Sequence, residues 1–428
     1  MSEAPVFTAE VFQNQYLPAG GNTVDAVVTV TATGGGAAGG AAPTSAVVIM
    51  IDVSGSMASP HSKITEAKRA CAAAIDGLRD GVPFAVIAGQ AEAAMAYPAQ
   101  PALVPANPQT RAQAKAAVQQ LRPFGGTAMG KWLWLANSLF ANHPAQVKHA
   151  ILLTDGRNQH ETQQQLASVL QACQGRFVCD SRGVGADWSG AELRQIASAL
   201  LGTADGLPDP AGLADDFRKM TETAMGKAVA EVSLRLWTPA GATIRFVKQA
   251  FPHVEDLTGR RREVSARIGE YPLGAWGAES RDYHVSIEVP PGAVGEEMLA
   301  ARVSLASGDQ VFAQSLVLAN WTDDTALSTK INPRVAHYTG QAELAQAIQE
   351  GLAARDAGDV ETATAKLGRA VQIAEESGHT DTAKLLAKVV DVVDAPTGTV
   401  RLKQKVEGVD AELANVRSVK TVRVKQQG

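Results

Sequence analysis

The chain has 428 residues, 45% of them hydrophobic and 19% charged, with a formal net charge of −5. That length suits two or three domains with cores of their own, and the nearly balanced charge excludes a global electrostatic case for nucleic acid or an anionic membrane. Three cysteines (Cys71, Cys173 and Cys179) with no C-x-x-C pair argue against a disulfide framework and against a zinc site, so buried free thiols are expected.

The opening residues Met1–Thr8 carry neither a basic n-region nor an apolar h-region, so no secretory signal is expected. No apolar run reaches the roughly 18 residues that a membrane span needs, and the expected location is cytoplasmic. Residues 6–13 and 23–32 alternate and are rich in β-branched side chains, which predicts strands. The Gly/Ala stretch 33–45 reads as a flexible linker, giving a first segment of 1–45.

From 46 to 226 strand and helix signals alternate. Strands are expected at 47–52, 84–87, 93–97, 149–154, 177–184 and 202–204. Helices are expected at 63–78, 110–121, 128–141, 162–173, 190–201 and 211–225. Such alternation gives a mainly parallel sheet with helices on both faces, a Rossmann-like α/β domain. Residues 227–322 switch to short alternating segments separated by Pro, Gly and Asp, the pattern of an antiparallel sandwich. The N-terminal strands have no other partners, so they are expected to complete that sandwich, with the α/β domain inserted in it.

Residues 335–394 return to helical spacing: 341–355, 360–377 and 381–390, a tetratricopeptide-like hairpin plus one helix. Fewer than two repeats cannot bury a solenoid core, so this unit should dock elsewhere. Residues 395–428 read as a locally basic tail, with Arg401, Lys403, Lys405, Arg417, Lys420, Arg423 and Lys425 against Glu407, Asp410 and Glu412.

The chemistry concentrates in three places. Val47–Met57 is an apolar strand run that stops at Asp52, Ser54 and Ser56, three oxygen-bearing side chains at alternate positions. Gly125-Gly126-Thr127 precedes an apolar helix, and a second apolar strand ends at Thr154-Asp155-Gly156. Ligands gather at the carboxyl edge of such sheets, and carboxylates with hydroxyls suit a hard divalent cation better than zinc or copper. Read separately, Ser54 and Ser56 could simply cap a helix and Asp155 could start a turn. Their joint occurrence in one strand–helix order is what that reading leaves unexplained.

Together Asp52, Ser54, Ser56, Thr127 and Asp155 resemble the metal-ion-dependent adhesion site (MIDAS) of von Willebrand factor A domains, in the pattern DxSxS, a Thr in a glycine turn, and a strand-ending TDG. The resemblance implies Mg²⁺ or Mn²⁺, with Ser54, Ser56 and Thr127 ligating directly and Asp52 and Asp155 acting mostly through water. It implies a partner protein that presents Asp or Glu to the metal. It also supports the inserted arrangement, which integrin β chains share. Stand-alone cytoplasmic bacterial proteins of the tellurite-resistance-associated type are the nearest resemblance, and they are associated with Ser/Thr kinases, phosphatases and forkhead-associated domains.

The reading is therefore a metal-dependent interaction scaffold in a bacterial signalling or stress-response complex, and not an enzyme. One alternative is a Mg²⁺-dependent enzyme or chelatase-like subunit, but no G-x-S-x-G elbow, P-loop or second acidic cluster is visible. The other is a cell-surface adhesin, disfavoured by the expected lack of a signal. In the tail, Thr421 sits between Lys420 and Arg423 and is a candidate for phosphorylation, as are Thr399 and Thr397. A solvated basic tail or an edge strand is the plainer account of that segment. Nucleic acid is a poor partner for it, because the basic excess is modest and no aromatic residue accompanies it.

Overall fold

The computed structural model describes residues 5–34 and 44–423; most of the 33–45 linker and the last residues of the basic tail lie outside them. The chain divides into two compact units. One comprises residues 41–230 together with 405–417, and the other 1–40, 231–404 and 418–428.

The α/β unit is built on strand Ser45–Asp52, whose residues Ala46–Asp52 are all buried. A strand covered on both faces must be apolar throughout, which is why its sequence does not alternate. It lies centrally in the strand order 204–207, 178–184, 147–154, 45–52, 83–89, 93–97, with the short strand Val104–Pro105 also on Pro83–Gly89. The first five strands are parallel and Ala93–Tyr97 is antiparallel. From Ser45–Asp52 the chain first moves to Pro83–Gly89 on one side and later returns to Val147–Thr154 on the other. That reversal makes the carboxyl ends of Ser45–Asp52 and Val147–Thr154 a switch point, where a crevice opens above the sheet.

Helix Ser62–Gly77 buries Ile64, Ala67, Ala70, Cys71, Ala74 and Ile75 at helical spacing. Helix Pro108–Gln120 starts two residues before its expected position because Asn107 accepts hydrogen bonds from the amides of Gln109 and Thr110 and Pro108 fits the first turn. The three cysteines are free and buried.

The second unit holds two large sheets and a two-stranded one. One has the order 6–13, 23–33, 280–288, 243–251, 255–256, with Thr23–Thr33 antiparallel to both Val6–Gln13 and Ser280–Glu288. The other has the order 262–265, 268–276, 229–237, 297–307, 310–322, 16–18. Strands from before and after the α/β unit in sequence thus share both sheets. Phe7 of the first sheet stacks on Phe312 of the second with ring centroids 4.8 Å apart.

Helix Pro333–Asp356 is longer than expected, because Asn332 caps it and Pro333 opens it. Its Val335 and Tyr338 pack with Val27 and Ala250 of the first sheet. It pairs with helix Val360–Glu376, closely enough that a Cβ on Gly351 would sit 2.7 Å from Leu367 Cγ.

The stretch 395–428, expected as a basic tail, is ordered secondary structure over much of its described length. Thr399–Leu402 pairs with Val390–Asp394, and Gly408–Arg417 is a helix within the α/β unit. Two facts account for the difference. Leu413, Ala414 and Val416 give the helix a buried face, and several of the charges are used in ion pairs: Arg417 with Asp205 at 2.7 Å and Arg423 with Asp282 at 3.1 Å.

Candidate functional site

All five oxygen-bearing residues singled out in the sequence lie at the switch point. Asp52 ends the central strand and is fully buried. Its Oδ1 accepts from the Ser54 amide at 2.7 Å, and its Oδ2 accepts from Thr154 Oγ1 at 2.6 Å. Ser54 and Ser56 bring their hydroxyl oxygens within 2.9 Å of each other, and Ser56 Oγ donates to Asp155 Oδ1 at 2.7 Å. Asp155 follows the neighbouring strand and is also fully buried, whereas Ser56 faces solvent.

Thr127 closes the group. A Cβ placed on Gly156 would lie 3.4 Å from Thr127 Oγ1 and 3.5 Å from Ser56 Oγ, so both hydroxyls border the same small space. The turn that presents Thr127 has Gly125 at φ +74, a left-handed conformation that a side chain resists. The carbonyl of Gly125 accepts from the Gly55 amide at 2.8 Å, tying this turn to the DxSxS loop.

A second layer holds the loops, and the sequence reading missed it. The Thr127 carbonyl accepts from the amides of Gln159 and His160 at 3.1 and 3.0 Å. The Thr127 amide donates to His160 Nδ1 at 3.2 Å. Asn158 Oδ1 accepts from the Met129 amide at 3.0 Å, and Glu161 Oε1 accepts from the Gly130 amide at 2.5 Å. Residues 158–161 therefore cap the start of helix Met129–Ala141, whose own Ala128 makes no side-chain cap.

Lys63 was missed as well. Its buried side chain places Nζ 2.8 Å from Asp155 Oδ2 and 3.1 Å from Asp187 Oδ2. The signal was a lysine in the first turn of a helix, where the backbone dipole disfavours a cation. Burial lowers its pKa, but the two carboxylates outweigh that and leave it above its ordinary value. Burial also pushes the Asp52 carboxyl up to about 6, with the Asp155 charge adding to it against hydrogen bonds from Ser54 and Thr154.

Among the described residues, this site included, no group of three or more His, Cys, Asp or Glu side chains is arranged to hold a metal. Burial raises the Cys71 thiol to about 12 and the Cys173 thiol to about 11, which makes both poor ligands and poor nucleophiles. Of the threonines singled out, Thr397 and Thr399 are exposed with hydroxyls 2.8 Å apart. Thr421 is half-buried, and its hydroxyl donates to the Ala250 carbonyl at 2.7 Å. It lies beside an isolated β-bridge between His253 and Lys420, so the edge-strand account describes it better than a free tail.

A doubly wound sheet with an oxygen-lined site at its switch point is the class of protein defined so far. The comparisons narrow that class. Residues 45–205 match the von Willebrand factor type A domain and residues 372–418 the von Willebrand factor type A C-terminal domain. A solved structure, von Willebrand factor type A from Catenulispora acidiphila, is 52% identical over 99% of this chain and 98% of that one, with a TM-score of 0.93. The chain belongs to the von Willebrand factor type A family. The ArnB paralog VWA2 from Sulfolobus acidocaldarius has the same fold at 14% identity, over 97% of this chain and 98% of its own, with a TM-score of 0.58. No curated protein matches the chain.

Proposed function

We propose that Asp52, Ser54, Ser56, Thr127 and Asp155 form a MIDAS for Mg²⁺ or Mn²⁺, and that the chain uses it to capture an acidic side chain of a partner protein. Domains of this family generally mediate protein–protein interaction, and the proposal gives that role a chemical basis here. The observation that carries it is an all-oxygen donor set at one crevice, with Ser54 and Ser56 oxygens 2.9 Å apart. Carboxylates and hydroxyls are the oxygen ligands that a hard divalent cation takes.

The residues divide the work. Asp52 and Asp155 supply negative charge, while Ser54, Ser56 and Thr127 supply oxygens without charge. A bound dication supplies an electrophilic centre that an outside carboxylate can reach. Ser56 keeps one side of the crevice open to solvent. Phe124, 74% exposed and joined to the DxSxS loop through its amide to the Val53 carbonyl at 2.8 Å, offers an apolar contact beside it.

On this reading the chain is a scaffold and not a catalyst. Its two-sheet unit is a β-sandwich carrying the α/β unit as an insertion, and the helical pair 333–376 is a further docking element. Cytoplasmic signalling of the tellurite-resistance-associated kind, with kinase, phosphatase or forkhead-associated partners, fits this design. Among the described residues no helix is long and apolar enough to cross a membrane.

The test is calorimetric titration of the metal-stripped full chain with MnCl₂ and MgCl₂. One site is expected, weakened about tenfold or more in Thr127→Ala and in Ser54→Ala/Ser56→Ala, as loss of metal-holding groups generally does. Absence of binding in the native chain, or equal affinity in the variants, would overturn the proposal.

A further inference from the structure

Lys63 does not belong to the oxygen set, yet it is built into the site from three sides. It is the second residue of helix Ser62–Gly77. Its Nζ joins Asp155, at the end of strand Val147–Thr154, to Asp187, in the loop after strand Val178–Val184. Gly185 makes room for the stem: a Cβ there would stand 2.9 Å from Lys63 Cε, and its φ of +76 is one that side chains resist. A buried ammonium is costly unless it is paired, and here it takes one oxygen of a carboxylate whose other oxygen faces Ser56.

We propose that Lys63 is a resident counter-charge that weakens the hold on the dication and thereby raises the attraction of the loaded site for an acidic group. The inference rests on the metal reading above. Without Lys63, two carboxylates would cancel a dication. With it, the loaded cluster keeps one positive charge in a poorly screened crevice. Asp187, whose side chain is 69% exposed, offsets Lys63 only from the solvent side. If Lys63 served only to hold Asp155 in place, its removal would loosen metal binding. The electrostatic role predicts the opposite sign.

The experiment titrates the metal-stripped full chain with MnCl₂, comparing native protein, Lys63→Met and Asp187→Asn, each checked for native folding by near-UV circular dichroism. Lys63→Met is expected to bind Mn²⁺ about tenfold tighter. Asp187→Asn, which leaves Lys63 less compensated, should bind about twofold to threefold more weakly. Native protein that binds no Mn²⁺ would overturn the metal reading and this inference together. Native binding with a folded Lys63→Met that is no tighter would overturn the inference alone. Should Lys63→Met not fold, an Asp187→Asn affinity equal to or tighter than native would overturn it by itself.

Discussion

The oxygen site depends on contacts where one atom more would not fit. Gly126 is the clearest case: a Cβ there would lie 1.8 Å from His160 Cε1. His160 must move to admit it, and its Nδ1 is the acceptor for the Thr127 amide. Gly126→Ala is therefore expected to cost at least about tenfold in Mn²⁺ affinity while unfolding close to the native denaturant midpoint, because the contact is local. Calorimetry and urea unfolding on the same samples would check this, and unchanged affinity would refute it. Asp52, Ser54, Ser56, Thr127 and Asp155 were legible in the sequence because each ends a strong apolar run or sits in a glycine turn. Lys63, Asn158, His160 and Glu161 were not. Their partners are backbone amides and carboxylates many residues distant, and nothing local in the sequence marks them except the lysine in a first helical turn.

At the scale of elements, helix Gly408–Arg417 is the instructive one. Glu412 Oε2 accepts from the Gly190 amide at 2.7 Å and its Oε1 pairs with Arg157 at 2.9 Å. A carboxylate from one helix thus caps the start of another, Gly190–Ala199, and fixes the residue two places beyond Asp155. A Cβ on Gly190 would stand 2.8 Å from the Glu412 carbonyl oxygen, so the approach of the two helices needs glycine at that point. Glu412→Ala should lower the stability of the full chain by about 1–2 kcal/mol, read from urea unfolding, and a loss below about 0.3 kcal/mol would contradict this role. Counting charges over 395–428 hid this helix. Val409, Leu413, Ala414 and Val416 carry the right spacing, but a block of lysines and arginines looked like a solvated tail until their acidic partners were located. The long strands and helices of 46–226 were legible for the opposite reason, since their burial is written in unbroken apolar runs.

Two units share one chain, which among the described residues passes between them at residues 230–231, 404–405 and 417–418. Within the α/β unit, the strand Val178–Val184 carries a buried charge cluster. Asp180 lies 3.0 Å from His149 Nε2 and accepts from Thr203, and Arg182 pairs with Asp216 at 2.6 Å. Burial raises the Asp180 pKa, but His149, Arg182 and Thr203 together hold it well below its ordinary 3.8. A carboxyl depressed in the folded state stabilises fully above its unfolded pKa and loses that contribution as pH falls toward the folded one. Stability should therefore decline below about pH 4, and Asp180→Asn, although weaker at neutral pH, should lose less between pH 5 and pH 3. Urea midpoints by circular dichroism across that range would check it, and parallel slopes for the two proteins would count against it.

The position of residues 405–417 also fixes an order of events during synthesis. The central sheet is translated by Leu207, but the carboxylate that clamps Arg157 is added about two hundred residues later. A ribosome making this protein holds an α/β unit that lacks one of its helices until nearly all of the two-sheet unit has emerged. The nascent protein thus completes the support of its oxygen-lined crevice only after residues 231–404 have been made.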